Sequence, residues 1–255
     1  MDLQHKLQPK VVAIIPARYH SNRFEGKPVA MILGKPMIQH VYERALSVPL
    51  LSKVVVATDD ERIADCVRSF DGEIVMTRAD HASGTDRLAE AATILEISEQ
   101  DVVVNIQGDQ PLFPAAVIDQ VAKPLLEDPA LPMSTLIYKI TRKEEINDPN
   151  HVKTVFDRNG KALYFSRSPI PFQRDPHEVV PPTYYKHLGF YAYRKGFLLT
   201  FVGLPEGEWE RFEKLEQLRA LEYGYTIKVV LTEYDSVEVD TLEDLKRVEE
   251  LLLNQ

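Results

Sequence analysis

The stretch VVAIIPARYHSNRFEGKP, Val11 to Pro28, decides how the chain is read. It opens with five apolar, mostly branched residues, the composition of a strand buried on both faces, and the polar cluster that follows marks where such a strand ends. The same pattern recurs in VVVAT before DDER, in EIVM, and in VVVNI before QGDQP. Between these runs lie longer segments of helical period: MIQHVYERAL, ERIADCVRSF, DRLAEAATIL and AAVIDQVAKPLL. Strands alternating with helices predict an α/β fold, a parallel sheet covered by helices on both faces.

From Met133 the rhythm changes. STLIYKI, VKTVF, ALYFS and HLGFYAY read as strands with little helix between them, so residues 131–195 are expected to be a strand-rich insertion in one domain spanning 1–255. The proline- and charge-rich PFQRDPHEVVPPTYYK, Pro171 to Lys186, reads as a long loop. Helical period returns in ERFEKLEQLRALEY, stopped by Gly224, followed by the strand TIKVVL and the helix LEDLKRVEELLL.

With 255 residues, 44% of them hydrophobic, the chain can bury a substantial core. A net charge of -9 excludes general affinity for nucleic acid or an anionic membrane, so an anion must be held by a local cationic site. The single cysteine, Cys66, falls on a helical pattern and offers neither a disulfide nor a thiol pair. MDLQHKLQPK lacks a signal-peptide core and no apolar run is long enough to span a bilayer, so a cytoplasmic protein is expected.

Ligands of open α/β sheets bind beyond the carboxyl ends of the strands. PARYHSNRFEGKP, TDDER and QGDQP each follow a strand and are therefore expected to converge. Arg18, Arg23 and Lys27 supply bidentate guanidinium contacts and a point charge suited to a polyphosphate and to charge on a leaving pyrophosphate, with Ser21 and Asn22 as neutral donors. A solvated surface loop is the plainer reading. Asp109 is a candidate Mg²⁺ ligand or an acid stabilising its turn; Asp240 is a second candidate ligand or a helix cap, and Thr241 with Asp244 can form a capping box. SGTDR, with Ser83 and Thr85, can line a base or sugar pocket or cap a helix, and His187 can be structural. Glu213 and Gln217, one helical turn apart, either face the cleft or are solvated. GKP at Gly26–Pro28 is not a Walker motif, because proline after the lysine offers no hydroxyl.

Taken in order, PARYxSxRxxGKP, QGDxP, YFSR, HLGxYxY, LEQLR and VDTxEDL resemble the CMP-KDO synthetase (3-deoxy-manno-octulosonate cytidylyltransferase) family from Val11 to about Val248. The resemblance implies a Rossmann-like three-layer sandwich with a mostly parallel central sheet, and a cytoplasmic homodimeric nucleotidyltransferase that uses CTP and Mg²⁺ to activate KDO for lipopolysaccharide biosynthesis. It also implies that Arg18, Ser21, Arg23 and Lys27 bind phosphate, that SGTDR lies near the cytosine, and that Asp109 and Asp240 hold the metal. Gln107, Arg167, His187, Tyr191, Glu213 and Gln217 would surround the sugar, Arg18, Lys27 and Asp109 being the catalytic set, and the strands after Met133 would supply the dimer interface. The chain departs from the family pattern at Gln110, where an acid is common, and at Glu238 and Leu242, where glycine and proline are common. Its motifs resemble in places a branch acting on the 8-amino analogue of KDO; a sialic acid as acceptor and a non-catalytic nucleotide-binding relative are the remaining alternatives.

Overall fold

The computed structural model describes residues 9–20, 24–175, 180 and 182–253. The first half follows the expected alternation: β1 (Val11–Pro16), a 3₁₀ turn at Lys27–Val29, the small hairpin of β2 (Met31–Ile32) and β3 (Lys35–Pro36), α1 (Met37–Leu46), β4 (Lys53–Thr58), α2 (Glu61–Arg68), β5 (Ile74–Met76), α3 (Gly84–Ile94), β6 (Val102–Asn105) and α4 (Ala115–Glu127). The second half adds β7 (Met133–Lys139), α5 (Glu144–Asn147), β8 (Lys153–Phe156), β9 (Ala162–Ser166), β10 (Tyr185–Arg194), α6 (Lys195–Val202), α7 (Glu208–Glu213), α8 (Leu218–Glu222), β11 (Ile227–Thr232) and α9 (Leu242–Leu253).

The sheet runs β11-β7-β10-β6-β1-β4-β5. β1 pairs in parallel with β4 and β6, β4 with β5, and β11 with β7, whereas β10 is antiparallel to both of its neighbours β6 and β7. Alternation along β1 explains the three layers. Ala13 and Ile15 pack with Val41 of α1, Val67 of α2 and Val121 of α4, while Val12 and Ile14 pack on the opposite face with Leu88 of α3 and Phe201 of α6. Each such buried aliphatic side chain contributes roughly 1.5–3 kcal/mol, and a one-residue slip of β1 would exchange the two faces.

The strands after Met133 extend the sheet: β7 and β10 are members of it, and the part lying off its path is the antiparallel pair β8–β9, attached through β8 to β10. One expectation needs revising. The segment ERFEKLEQLRALEY is not one helix. α7 stops at Lys214, whose φ of 53° is left-handed, and α8 begins at Leu218. The Glu213 carboxylate accepts from Ser166 Oγ at 2.6 Å and the Arg167 amide at 2.9 Å, and Leu215 turns into the core, so tertiary contacts override helix propensity there.

A third apolar cluster positions the C-terminal segment. Val239, Leu245 and Val248 pack with Ile32, Met37 and Leu112, and the Val239 amide donates to Asp109 O at 2.9 Å. The loop before α9 is thereby fixed against the loop after β6.

Beside the site, β10 carries the buried Lys186. Its ammonium meets both Glu145 oxygens at 3.1 Å and Asp235 Oδ1 at 2.7 Å. Burial opposes ionisation of Glu145, but hydrogen bonds from Lys186 and Arg142 outweigh it and hold the carboxyl below its usual value. Lys186→Met removes the buried cation between those carboxylates and leaves them to Arg142, so it is expected to cost about 3 kcal/mol in urea unfolding at neutral pH. The loss should shrink as the pH is lowered and the acids take up protons.

Candidate active site

The carboxyl ends of β1 and β6, with the start of α3, enclose a cleft of ≈ 310 Å³. Its wall includes Arg18 and Lys27 from the loop after β1, His81, Ser83 and Arg87 around the start of α3, Gln107 and Asp109 from the loop after β6, and Asp240. Close packing brings the loops together: a Cβ on Gly108 would lie 3.4 Å from Pro16 O and 3.5 Å from the Ile38 side chain. Gly26, at φ 68°, turns the chain so that Lys27 enters the cleft, an angle strained for residues with a Cβ.

Lys27 Nζ lies 2.8 Å from Asp109 Oδ2 and 3.3 Å from Asp240 Oδ1. One ammonium thus holds carboxylates from segments 82 and 213 residues away from it. The capping question at α9 is answered in the same place. Thr241 and Asp244 form the box, with Asp244 N to Thr241 Oγ1 at 3.2 Å and Thr241 N to Asp244 Oδ2 at 2.8 Å, so the Asp240 carboxylate is not used as the cap. A pair of carboxylates that already shares one cation fits Mg²⁺, a hard ion that takes one or two carboxylates and completes its shell with phosphate oxygens and water. Among the described residues no group of three or more His, Cys, Asp or Glu could hold a metal.

SGTDR serves two purposes. Ser83 caps α3, accepting from Asp86 N at 3.1 Å while Asp86 Oδ2 accepts from Ser83 N at 3.0 Å, and Ser83 also lines the cleft. Thr85 points elsewhere and donates to Glu216. TDDER stands one step behind the cleft rather than in its wall. Asp59 pairs with Arg87 at 2.8 Å, and Asp60 caps α2 and grips Arg62, whose guanidinium sits 3.3 Å from the Tyr19 ring centroid. Asp59 therefore braces Arg87 of the cleft wall. Ser21 and Arg23 lie outside the described residues.

A second polar cluster lies across β6 from β1. Asn105, the last residue of β6, is in register with Tyr191 of β10, so the strand's kinked part from His187 to Tyr191 projects past the end of β6. Gly189, at φ 71°, sits in that irregularity, and Gln107 Nε2 reaches its carbonyl at 3.5 Å. The Thr135 hydroxyl donates its proton to Phe190 O at 2.7 Å, so His187 Nε2–H must be the donor in its 2.9 Å bond to Thr135 Oγ1. Enclosure beside Phe165 and Tyr191 pushes His187 down to about 4. Burial raises Glu216 despite hydrogen bonds from Thr85 and Ser83, and burial together with the Glu216 charge raises Tyr191 well above its usual value.

Asn105 Oδ1 and Gln217 Nε2 are buried polar atoms with no hydrogen-bond partner among the described residues, the condition a polyhydroxylated ligand would relieve. Glu213 and Arg167 are occupied differently. Arg167 donates to the carbonyls of Glu213, Pro149 and Lys214 at 2.7, 2.9 and 3.3 Å. Neither residue lines the cleft. Glu216 and Asn105 are not evident from the sequence: the continuous helical period through LEQLR points to Glu213 and Gln217 on one face, and Asn105 ends a strand run.

A family model described as Cytidylyltransferase matches residues 12–229. The 3-deoxy-manno-octulosonate cytidylyltransferase of Syntrophus aciditrophicus (strain SB) is 60% identical over 246 residues, covering 96% of this chain and 98% of that protein. The 8-amino-3,8-dideoxy-manno-octulosonate cytidylyltransferase of Shewanella amazonensis (strain ATCC BAA-1098 / SB2B) is 55% identical, covering 95% and 98%. A solved structure of CMP:2-keto-3-deoxy-manno-octonic acid synthetase complexed with CTP superposes with a TM-score of 0.90 at 43% identity, covering 96% of this chain and 99% of that one.

The His187 shift sets a pH dependence. An unfolded histidine takes up its proton near pH 6.5, whereas the folded one resists until about 4. Its neutral form therefore contributes stability that is full above about 6.5, declines as pH falls, and is gone below about 4. His187→Gln is expected to flatten this part of the pH–stability curve in denaturant titrations; an unchanged slope would contradict the assignment.

Proposed function

Because the chain belongs to the cytidylyltransferase family, we propose that it is a CTP:3-deoxy-manno-octulosonate cytidylyltransferase, forming CMP-KDO and pyrophosphate for lipopolysaccharide biosynthesis. The observation that carries the proposal is the meeting of Arg18, Lys27, Asp109 and Asp240 in one cleft at the carboxyl edge of the sheet. That set joins cations for a triphosphate to a carboxylate pair suited to its metal.

The anomeric hydroxyl oxygen of KDO bonds to the α-phosphorus as the bond from that phosphorus to the bridging oxygen breaks. Pyrophosphate leaves with the electron pair, and the hydroxyl proton passes to solvent. Arg18 and Lys27 stabilise the charge that accumulates on the leaving group, and the loop after β6 holds the reactants in line. Asp109 and Asp240 would hold Mg²⁺, which supplies charge neutralisation at the phosphates and acidifies a neighbouring hydroxyl. Ser83 and Arg87 face the nucleoside end of the same cleft. Gln107, His187, Tyr191 and Gln217 serve the sugar, with Glu216 replacing Glu213 as the acid of that group. Arg167 serves the sugar carboxylate by exchanging carbonyl partners for an ionised acceptor, the stronger hydrogen-bond partner.

The 8-amino analogue is the second reading, supported by relatives so named at 55% identity. Among the described residues no helix is long and apolar enough to cross a membrane, and we place the enzyme in the cytoplasm with its substrates. The homodimer is proposed with the face carrying β8, β9 and the loop before Tyr184 as its interface; the exposed Phe172 and Val180 suit that role.

Purified protein should release pyrophosphate when KDO, CTP and Mg²⁺ are all present, with less turnover of the 8-amino sugar. Release with a sialic acid alone, or with none of the three sugars, would overturn the proposal. Asp109→Ala and Lys27→Ala should each lower turnover by about 100-fold or more, read under saturating substrate.

A further inference from the structure

The two departures from the family pattern, Gln110 and Glu238, meet. Gln110 is fully buried, and its Nε2 donates to Glu238 Oε1 at 2.9 Å and to Leu188 O at 3.3 Å. Its own Oε1 has no partner among the described residues. Both acceptors thus receive the amide's NH₂ end, and nothing stabilises the reverse orientation. A carboxylate at this position could donate to neither acceptor when ionised, and it would lie against the Glu238 carboxyl group.

The contact joins three segments that build the site. Gln110 follows Asp109, Glu238 lies two residues before Asp240, and Leu188 belongs to the kinked part of β10 between His187 and Gly189. We propose that Gln110 and Glu238 form a positioning pair. The pair sets the spacing of Asp109 and Asp240 for the metal-bound triphosphate and ties it to the sugar strand. Neither residue touches the reacting atoms. Glu238 is exposed at its other side, so changes there can be made without opening the core.

This inference rests on the reading of Asp109 and Asp240 as the metal pair, and the test separates the two. Calorimetry would measure binding of CTP in the presence of Mg²⁺ by the wild type and by Glu238→Ala, Glu238→Gln, Gln110→Glu and the double variant Gln110→Glu/Glu238→Gln, with thermal midpoints recorded alongside. Glu238→Ala removes the acceptor and should weaken binding about 5-fold, raising KM for CTP more than it lowers kcat, without moving the thermal midpoint beyond about 2 °C. Glu238→Gln keeps an acceptor of the same shape and should stay within about 2-fold of wild type. Gln110→Glu should weaken binding by about 10-fold or more, and adding Glu238→Gln, which restores a donor opposite the new acid, should recover most of that loss.

Equal binding by Glu238→Ala and wild type overturns the pair, as does a Gln110→Glu defect that Glu238→Gln leaves untouched. If Gln110→Glu does not fold, the contrast between alanine and glutamine at position 238 decides alone. A wild-type protein that binds no CTP with Mg²⁺ defeats the functional reading instead.

Discussion

One ammonium group organises the site. Lys27 reaches Asp109 and Asp240 at the same time, and without it two carboxylates from distant parts of the chain would face each other across a partly enclosed cleft. Their mutual repulsion is what any cation at this place must offset, be it a lysine or a divalent ion shared with a nucleotide. The fold invests three separate segments in bringing these charges together. Gly26 turns the first loop inward, the Gly108 approach seats the second against Pro16, and the Val239 amide and its apolar cluster press the third onto Asp109.

From that cleft the chemistry continues across β6. One side of the strand borders the cleft lined by Arg18, Ser83 and Arg87; the other meets β10, where enclosed His187, Tyr191 and Glu216 are each driven towards the neutral form. Charged groups therefore dominate the cleft side, whereas neutral hydrogen-bonding groups dominate the β10 side. Under the proposed function this division suits a reaction in which charge moves onto a leaving pyrophosphate while a hydroxylated acceptor has only to be oriented. The antiparallel course of β10 matters here. It carries residues past the end of β6, where a parallel strand would have ended at the same level as its neighbours.

Much of this is legible in the sequence. Branched apolar runs revealed β1, β4, β5 and β6, because a strand covered on both faces leaves no choice of polarity, and the clusters that interrupt those runs marked the cleft edge. The separate helices α7 and α8 were not legible. Nothing in ERFEKLEQLRALEY breaks a helical period; the break comes from Glu213 being claimed by Ser166 and Arg167, partners about 46 residues away. TDDER was likewise readable as a cluster at a strand end, yet its carboxylates brace Arg87 and Arg62 instead of lining the cleft.

The sequence by itself determined the layered α/β architecture and placed cationic and acidic clusters at the ends of its strands, since periodicity and residue chemistry are local properties. Only the tertiary structure decided which of those groups touch: that Lys27 bridges both acids, that Glu216 rather than Glu213 joins the buried cluster, and that Gln110 and Glu238 are two ends of one hydrogen bond. Those outcomes depend on how strands and loops pack across separations of 80 residues and more, where side-chain pairing is set by sheet order and burial and leaves no periodic trace along the chain.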